Sequence, residues 1–241
     1  MKHLPTDHSD VPIRLFKSDV VEAFTHIHPG VVLLIWLPVA LWCAWRSLAV
    51  VGLSTGQTAL LFAAGLAVWS FTEYVVHRFV FHFEPRTPHS LIERLLFLLH
   101  GVHHVQPQMR TRLVMPPIVS IPLALLFYGL FALVVGSWLG MPNRVDALFA
   151  GFISGYVGYD MIHYATHHLP MRGRLLKALK RYHMQHHYQT PDDRYGVSTP
   201  IWDAVFGTLP GGIHGSRPEK SYAPFSLRVS RALLPTSPAA T

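Results

Sequence analysis

At 241 residues the chain suits one domain or a compact pair, which excludes a large multidomain assembly. Half of its residues are hydrophobic and only 14% are charged, about half the charged share of an ordinary soluble domain, so it reads as a bilayer protein. The net charge of +7 flanks long apolar runs, as at the cytoplasmic edge of a membrane, and not the exposed polar surface that nucleic acid requires.

Residues 1–30 are polar and acidic, with Asp7, Asp10, Asp19 and Glu22. They lack the basic start and apolar core of a cleaved signal peptide and read as a cytoplasmic N-terminal segment. Four spans follow, each near the roughly 20 residues a helix needs to cross a bilayer. They cover about 31–51, 58–76, 114–135 and 147–162. The fourth carries Gly151, Gly155 and Gly158, with Asp160 near its end. Glycines so spaced permit either a close helix approach or a flexible, weak helix. Cys43 is the only cysteine, so one chain holds neither a disulfide nor a cysteine-based metal site.

The loops at 52–57 and 136–146 are short and carry one basic residue, Arg144. By contrast, 77–112 and everything after His163 are polar, basic and rich in histidine. The excess of Lys and Arg places that side in the cytoplasm, and four crossings bring all the histidine clusters to it. Basic and leucine positions between Arg172 and Lys180 describe an amphipathic helix at the interface. The expected fold is all-α: four transmembrane helices and a cytoplasmic helical cap carrying a histidine-rich dimetal site. Residues 31–210 form this membrane domain, and 211–241 an extension whose tail is expected to be disordered.

Four histidine clusters carry the chemistry: His77 with His82, His100 with His103 and His104, His163 with His167, and His183 with His186 and His187. Residues three and four apart share a helix face. The spacing of five in the first pair is about 140° on an ideal helix, so this pair straddles a helix end or a local unwinding. Imidazole suits iron, copper and zinc alike. The ligands here exceed the roughly four to six positions around one ion, so two ions are implied. His3, His8, His26, His28, His89 and His214 read as surface or packing residues, and His168 as incidental beside the better-spaced His167. Intramembrane or membrane-edge histidines are costly without partners.

This order of clusters resembles the signature of the fatty acid hydroxylase/sterol desaturase superfamily. The stretches Glu73–His82, Arg112–Pro117, Gly158–Tyr164 and Tyr195–Thr208 resemble its fatty acid 2-hydroxylase branch, which acts on the acyl chains of ceramides. The resemblance implies metal ligation by His77, His82, His100, His103, His104, His163, His167, His183, His186 and His187. It implies two iron ions (zinc being possible in the isolated protein), dioxygen as co-substrate and a membrane-lipid substrate hydroxylated at carbon 2. No catalytic residue beyond the ligands is named.

About thirty residues precede the first span, too few for the cytochrome b5 domain of many eukaryotic members. Electrons are therefore expected from a separate donor, such as cytochrome b5 or ferredoxin with its reductase, and the short start points to a bacterial inner membrane, or to the endoplasmic reticulum if the chain is eukaryotic. Glu73 and Asp160, one helical turn before His77 and His163, are candidate partners for those rings or for nearby cations. Tyr164 and Tyr195 are further candidates of the same kind. A sterol or carotenoid hydroxylase or a desaturase would share the metal site, whereas a zinc transporter would need polar ligands along a path through the bilayer.

Overall fold

A computed structural model describes residues 6, 7, 9, 11–85 and 90–209, which contain helices and no strand. The 211–241 extension and His3, His8, His89 and His214 lie outside the described residues.

Among the described residues, three helices are long and apolar enough to cross a membrane: Pro29–Val50, Thr55–Phe81 and Pro117–Trp138. A short helix, α1 (Asp19–Ala23), precedes the first of them, α2 (Pro29–Trp45), which runs on as a π-helical turn over Arg46–Val50. Pro29 opens α2 where its missing N–H breaks no bond, and the His28 Nδ1 accepts the Gly30 N–H at 3.0 Å. The second, α3 (Thr55–Val75), starts at a reciprocal cap between Ser54 and Gln57, earlier than the apolar pattern alone indicates. It continues as a π-helical turn over Val76–Phe81. Next come α4 (Ser90–Leu96), a π-helical turn over Phe97–Gly101, and α5 (Val102–Val105). The third long helix, α6 (Pro117–Phe131) with a π-helical extension to Trp138, begins later than expected. Pro117 forces Pro116 into extended backbone, and the helix can start only after it.

The expected fourth span is α7 (Val145–His168), which is longer than the apolar pattern indicates and is not among the three strongly apolar helices. It lies along α2 and α3, with α6 also against it, and is buried from Val145 to Ile153 and again at Tyr156, Tyr159, Asp160 and His163. A helix screened by its neighbours needs no apolar outer face, which accounts for its weaker hydropathy. Close approach decides the role of its glycines. A Cβ on Gly151 would lie 1.9 Å from the Phe62 carbonyl oxygen, and one on Gly65 of α3 would lie 2.1 Å from that of Leu148. A Cβ on Gly155 would meet Trp69 at 2.6 Å, whereas Gly158 has nothing within 4 Å. Trp69 then edges onto Phe152 and Tyr156 at 5.2 and 5.3 Å between ring centres.

Leu34, Leu41, Leu60, Leu125, Leu126 and Trp138 all point outward, giving the long helices the apolar exterior that hydrocarbon covers. At the start of α7, Arg46 pairs with Asp146 at 2.9 Å and the Tyr128 hydroxyl donates to the same carboxylate at 3.0 Å, tying together three helices. At its other end stand the histidines. There α8 (Arg174–Tyr188) extends well beyond the expected interfacial stretch and carries His183, His186 and His187 in its second half, followed by α9 (Ile201–Val205).

The N-terminal segment folds onto the turn that follows α5. Gln106 accepts the Ile13 N–H at 3.0 Å and donates to Asp7 and to the Val11 carbonyl at 2.8 and 2.9 Å. Arg112 pairs with Glu22, and His26 bonds Thr111 at 2.7 Å.

Candidate metal centre

Four separate segments deliver imidazoles to one place. His77, His82, His100, His104 and His186 form one group; His103, His163, His167, His183 and His187 form a second. Within each group the candidate ligand nitrogens lie within 4.8 Å of one another.

Local structure explains the sorting. The π-helical turn over Val76–Phe81 ends with the His82 N–H on the His77 carbonyl at 3.1 Å, an i to i+5 bond. That extra residue per turn brings a five-residue spacing onto one side, and the turn is also where the helix stops. His100 sits in the π-helical turn before α5, and its Nε2 lies 2.9 Å from that of His104. The Nε2 atoms of His77 and His100 are 3.1 Å apart. In the second group, His103 Nε2 approaches His163 at 3.0 Å and His187 at 3.1 Å, while His183 Nε2 approaches His167 at 2.9 Å and His187 at 3.0 Å.

These distances test whether metal ions fit. A ring nitrogen carries either one proton or one lone pair, so an Nε2 with two close nitrogen neighbours cannot satisfy both with ordinary hydrogen bonds. Two imidazoles on one ion, each bonded at about 2.0–2.1 Å, have nitrogens about 2.9–3.4 Å apart depending on the angle. The observed Nε2 separations fall in that range. Burial keeps the rings neutral, as ligands must be. It holds His82, His100, His104, His183, His186 and His187 well below the ordinary imidazole range, with neighbouring histidines adding to the effect. His103 is pushed down to about 3 for the same first reason. The residues fit a pair of cations.

The outer contacts differ from those expected. Glu73 holds neither His77 nor Arg78. It accepts the Val197 and Ser198 N–H groups at 2.7 and 2.8 Å and the Ser198 hydroxyl. Arg78 donates instead to the Tyr74 hydroxyl and lies over the Phe79 ring. His77 Nδ1 bonds the Tyr195 backbone carbonyl, so Tyr195 acts on that ring through its main chain, while its own ring packs on His82 and His186. His186 Nδ1 bonds the Asp193 carbonyl at 2.7 Å. Asp160 does not hold His163, whose buried Nδ1 has no hydrogen-bond partner among the described residues, and instead accepts weakly from the Met115 N–H at 3.4 Å. Tyr164 faces His168 at 4.8 Å between ring centres, and His168 belongs to neither group. Asp203, not singled out in the sequence, accepts the Tyr195 and Gly196 N–H groups at 2.8 and 2.7 Å.

Comparison with known proteins agrees with this geometry. Residues 62–208 match the family described as fatty acid hydroxylase. The chain is 37% identical over 208 residues to a dihydroceramide fatty acyl 2-hydroxylase of Arabidopsis thaliana, covering 86% of this chain and 84% of that protein. It is 34% identical over 216 residues to the fatty acid 2-hydroxylase of Mus musculus, covering 82% of this chain but 57% of the relative. Among solved structures, full-length scs7p, in which only the hydroxylase domain is visible, superposes with a TM-score of 0.74 at 37% identity, covering 82% of this chain and 72% of that one. With the family match and these identities resting on the segments that build both histidine groups, the chain belongs to the fatty acid hydroxylase family.

Proposed function

We propose that the chain is a dioxygen-dependent diiron monooxygenase that hydroxylates the acyl chain of a membrane lipid at carbon 2 of a fatty acid or ceramide. The observation that carries this reading is the pair of five-imidazole groups at the end of apolar helices, in a chain whose relatives are named as fatty acyl 2-hydroxylases. The ten histidines would hold the two ions. Bound iron supplies dioxygen activation and the oxidation of an unreactive C–H bond.

The chain's own work is placement. Backbone carbonyls of Tyr195 and Asp193 hold the Nδ1 of His77 and His186, which aims each opposite nitrogen inward. Seven of the ten rings are buried, and His104, His167 and His187 are partly so, which limits the access of water to both groups. In the four-span arrangement α7 also crosses, the helices α5 and α8 cap the site, and the basic end faces the cytoplasm. A lipid headgroup then stays at the interface while its tail enters between helices, and selectivity follows from how far carbon 2 reaches past the site, since reacting atoms need to sit about 3–3.5 Å apart. Each turnover consumes one dioxygen, two electrons and two protons, giving one hydroxylated lipid and one water. The electrons are taken to come from a cytochrome b5- or ferredoxin-type donor.

The test is product analysis by mass spectrometry. Iron-loaded protein with ferredoxin, its reductase and ¹⁸O₂ is supplied with ceramide, free fatty acid, sterol or carotenoid. The expected product is a 2-hydroxyacyl lipid carrying one ¹⁸O. Oxidation confined to sterol or carotenoid would overturn the substrate assignment, and ¹⁸O-free product would overturn the chemistry.

A further inference from the structure

The two histidine groups have the same number of rings but different surroundings. A ligating imidazole is oriented, and made a better donor, when its second ring nitrogen is held by an acceptor; losing such a partner lowers metal affinity about 10- to 100-fold. In the first group His77 and His186 have that support, both from one short loop, through the carbonyls of Tyr195 and Asp193. In the second group the Nδ1 atoms of His103, His163, His183 and His187 are all buried and have no hydrogen-bond partner among the described residues. His82 lacks one as well, so the first group is supported at two rings and not throughout.

The supporting loop is itself clamped. Asp203, fully buried, takes the N–H groups of Tyr195 and Gly196, and Glu73, 4% exposed, takes those of Val197 and Ser198. Four successive amides thus end on two buried acidic side chains. Thr208 adds a hydroxyl to Asp203 at 2.7 Å and is bonded in turn to Tyr74 of α3 at 3.1 Å. The winding is tight: a Cβ on Gly196 would come within 2.0 Å of the Thr199 carbonyl oxygen.

We propose that the two ions are held with unequal strength, tightly by His77, His82, His100, His104 and His186 and loosely by the other five, with Glu73 and Asp203 as positioning residues for the tight site through the 193–198 loop. This rests on the reading that each group holds an ion, and it adds an order of loading and loss: the first group fills first and empties last.

The test uses the full chain, reconstituted in detergent with zinc(II) and equilibrated against graded chelator at fixed pH, with metal per chain as the readout. Wild type should lose its ions in two steps separated by at least about tenfold in free chelator. Asp203→Asn keeps the size of the side chain and weakens the clamp. It should move the second step about 10- to 100-fold toward the first and leave the first step in place. Glu73→Gln should do the same, which covers the case in which one variant fails to fold. His163→Ala should remove the loose ion and leave one ion at the wild-type second step. Release of both ions in one step from wild type, or a clamp variant that shifts the first step instead of the second, would overturn the inference while leaving the dimetal reading intact. A chain that never holds two ions would overturn that reading as well.

Discussion

Adjacent histidines in the two His-x-x-His-His stretches serve different groups. One residue of α-helix turns the chain by about 100°, so neighbours diverge and residues four apart realign. His100 pairs with His104, His163 with His167 and His183 with His187, while His103 and His186 each cross to the opposite group. Which histidines gather was legible from spacing. The anchoring of their outer nitrogens was not, because the acceptors are backbone carbonyls at Tyr195 and Asp193, and every residue carries one. Glu73 was legible as a nearby carboxylate but not as the clamp of a loop more than a hundred residues away.

His104→Ala and His187→Ala should each abolish product formation while the protein remains folded. His168→Ala should retain activity, since that ring belongs to neither group. Equal loss in all three variants would indicate general misfolding.

A pH dependence follows from the same rings. His103 titrates in the folded chain at about 3 against an ordinary 6.5, and His82, His100, His104, His183, His186 and His187 are also displaced far downward by burial. A lowered folded value means that the unfolded chain binds more protons below 6.5. Stability is therefore full above that pH and is lost as the pH falls through the window toward 3. Protons compete for the same nitrogens only as the pH approaches these lowered values, so bound metal should stay constant above pH 6.5 and leave toward the lower end of this window. Metal content that rose on acidification would contradict the assignment of these rings as neutral ligands.

Among the elements, the three strongly apolar helices were legible because apolar length and proline positions dictate them. Their ends moved for local reasons, the Ser54–Gln57 cap on α3 and the Pro116–Pro117 pair before α6. The π-helical turns were foreshadowed only by the spacing of His77 and His82. The glycines of α7 were readable in two ways, and packing against α3 selects close contact at Gly151 and Gly155 but not at Gly158.

A matched pair of substitutions tests that distinction. Gly151→Ala drives a methyl into the Phe62 backbone and should cost about 1–3 kcal/mol or more, read as a lower melting temperature in detergent. Gly158→Ala meets open space and should be neutral or stabilising by up to about 1 kcal/mol, because alanine favours helix. Similar destabilisation by both would show that helix flexibility, and not contact, sets the requirement for glycine.

Across the whole molecule, an apolar belt separates a basic, histidine-bearing end from an end closed by Arg46, Asp146 and Tyr128. The sequence conveyed that polarity through its charge distribution. It did not convey how thoroughly α7 is enclosed, since enclosure depends on helices distant in the chain. Nor did it convey that the N-terminal segment is fastened beside the second histidine cluster through Gln106 and Arg112.

Topology can be read directly because Cys43, the only cysteine, is buried and gives little background to thiol labelling. In a Cys43→Ser background, cysteine placed at exposed Arg174 should react with an impermeant reagent from the cytoplasmic side, and cysteine at exposed Asn143 from the opposite side. Labelling of both from one side would rule out four crossings.

The convergence of ten imidazoles on two ions is tested most directly by X-ray absorption at the metal edge of purified, iron-loaded protein, together with metal per chain. The expected result is two ions per chain with a first shell dominated by nitrogen at about 2.0–2.2 Å and the multiple-scattering pattern of imidazole. One ion per chain, or a shell in which imidazole is a minor component, would contradict it.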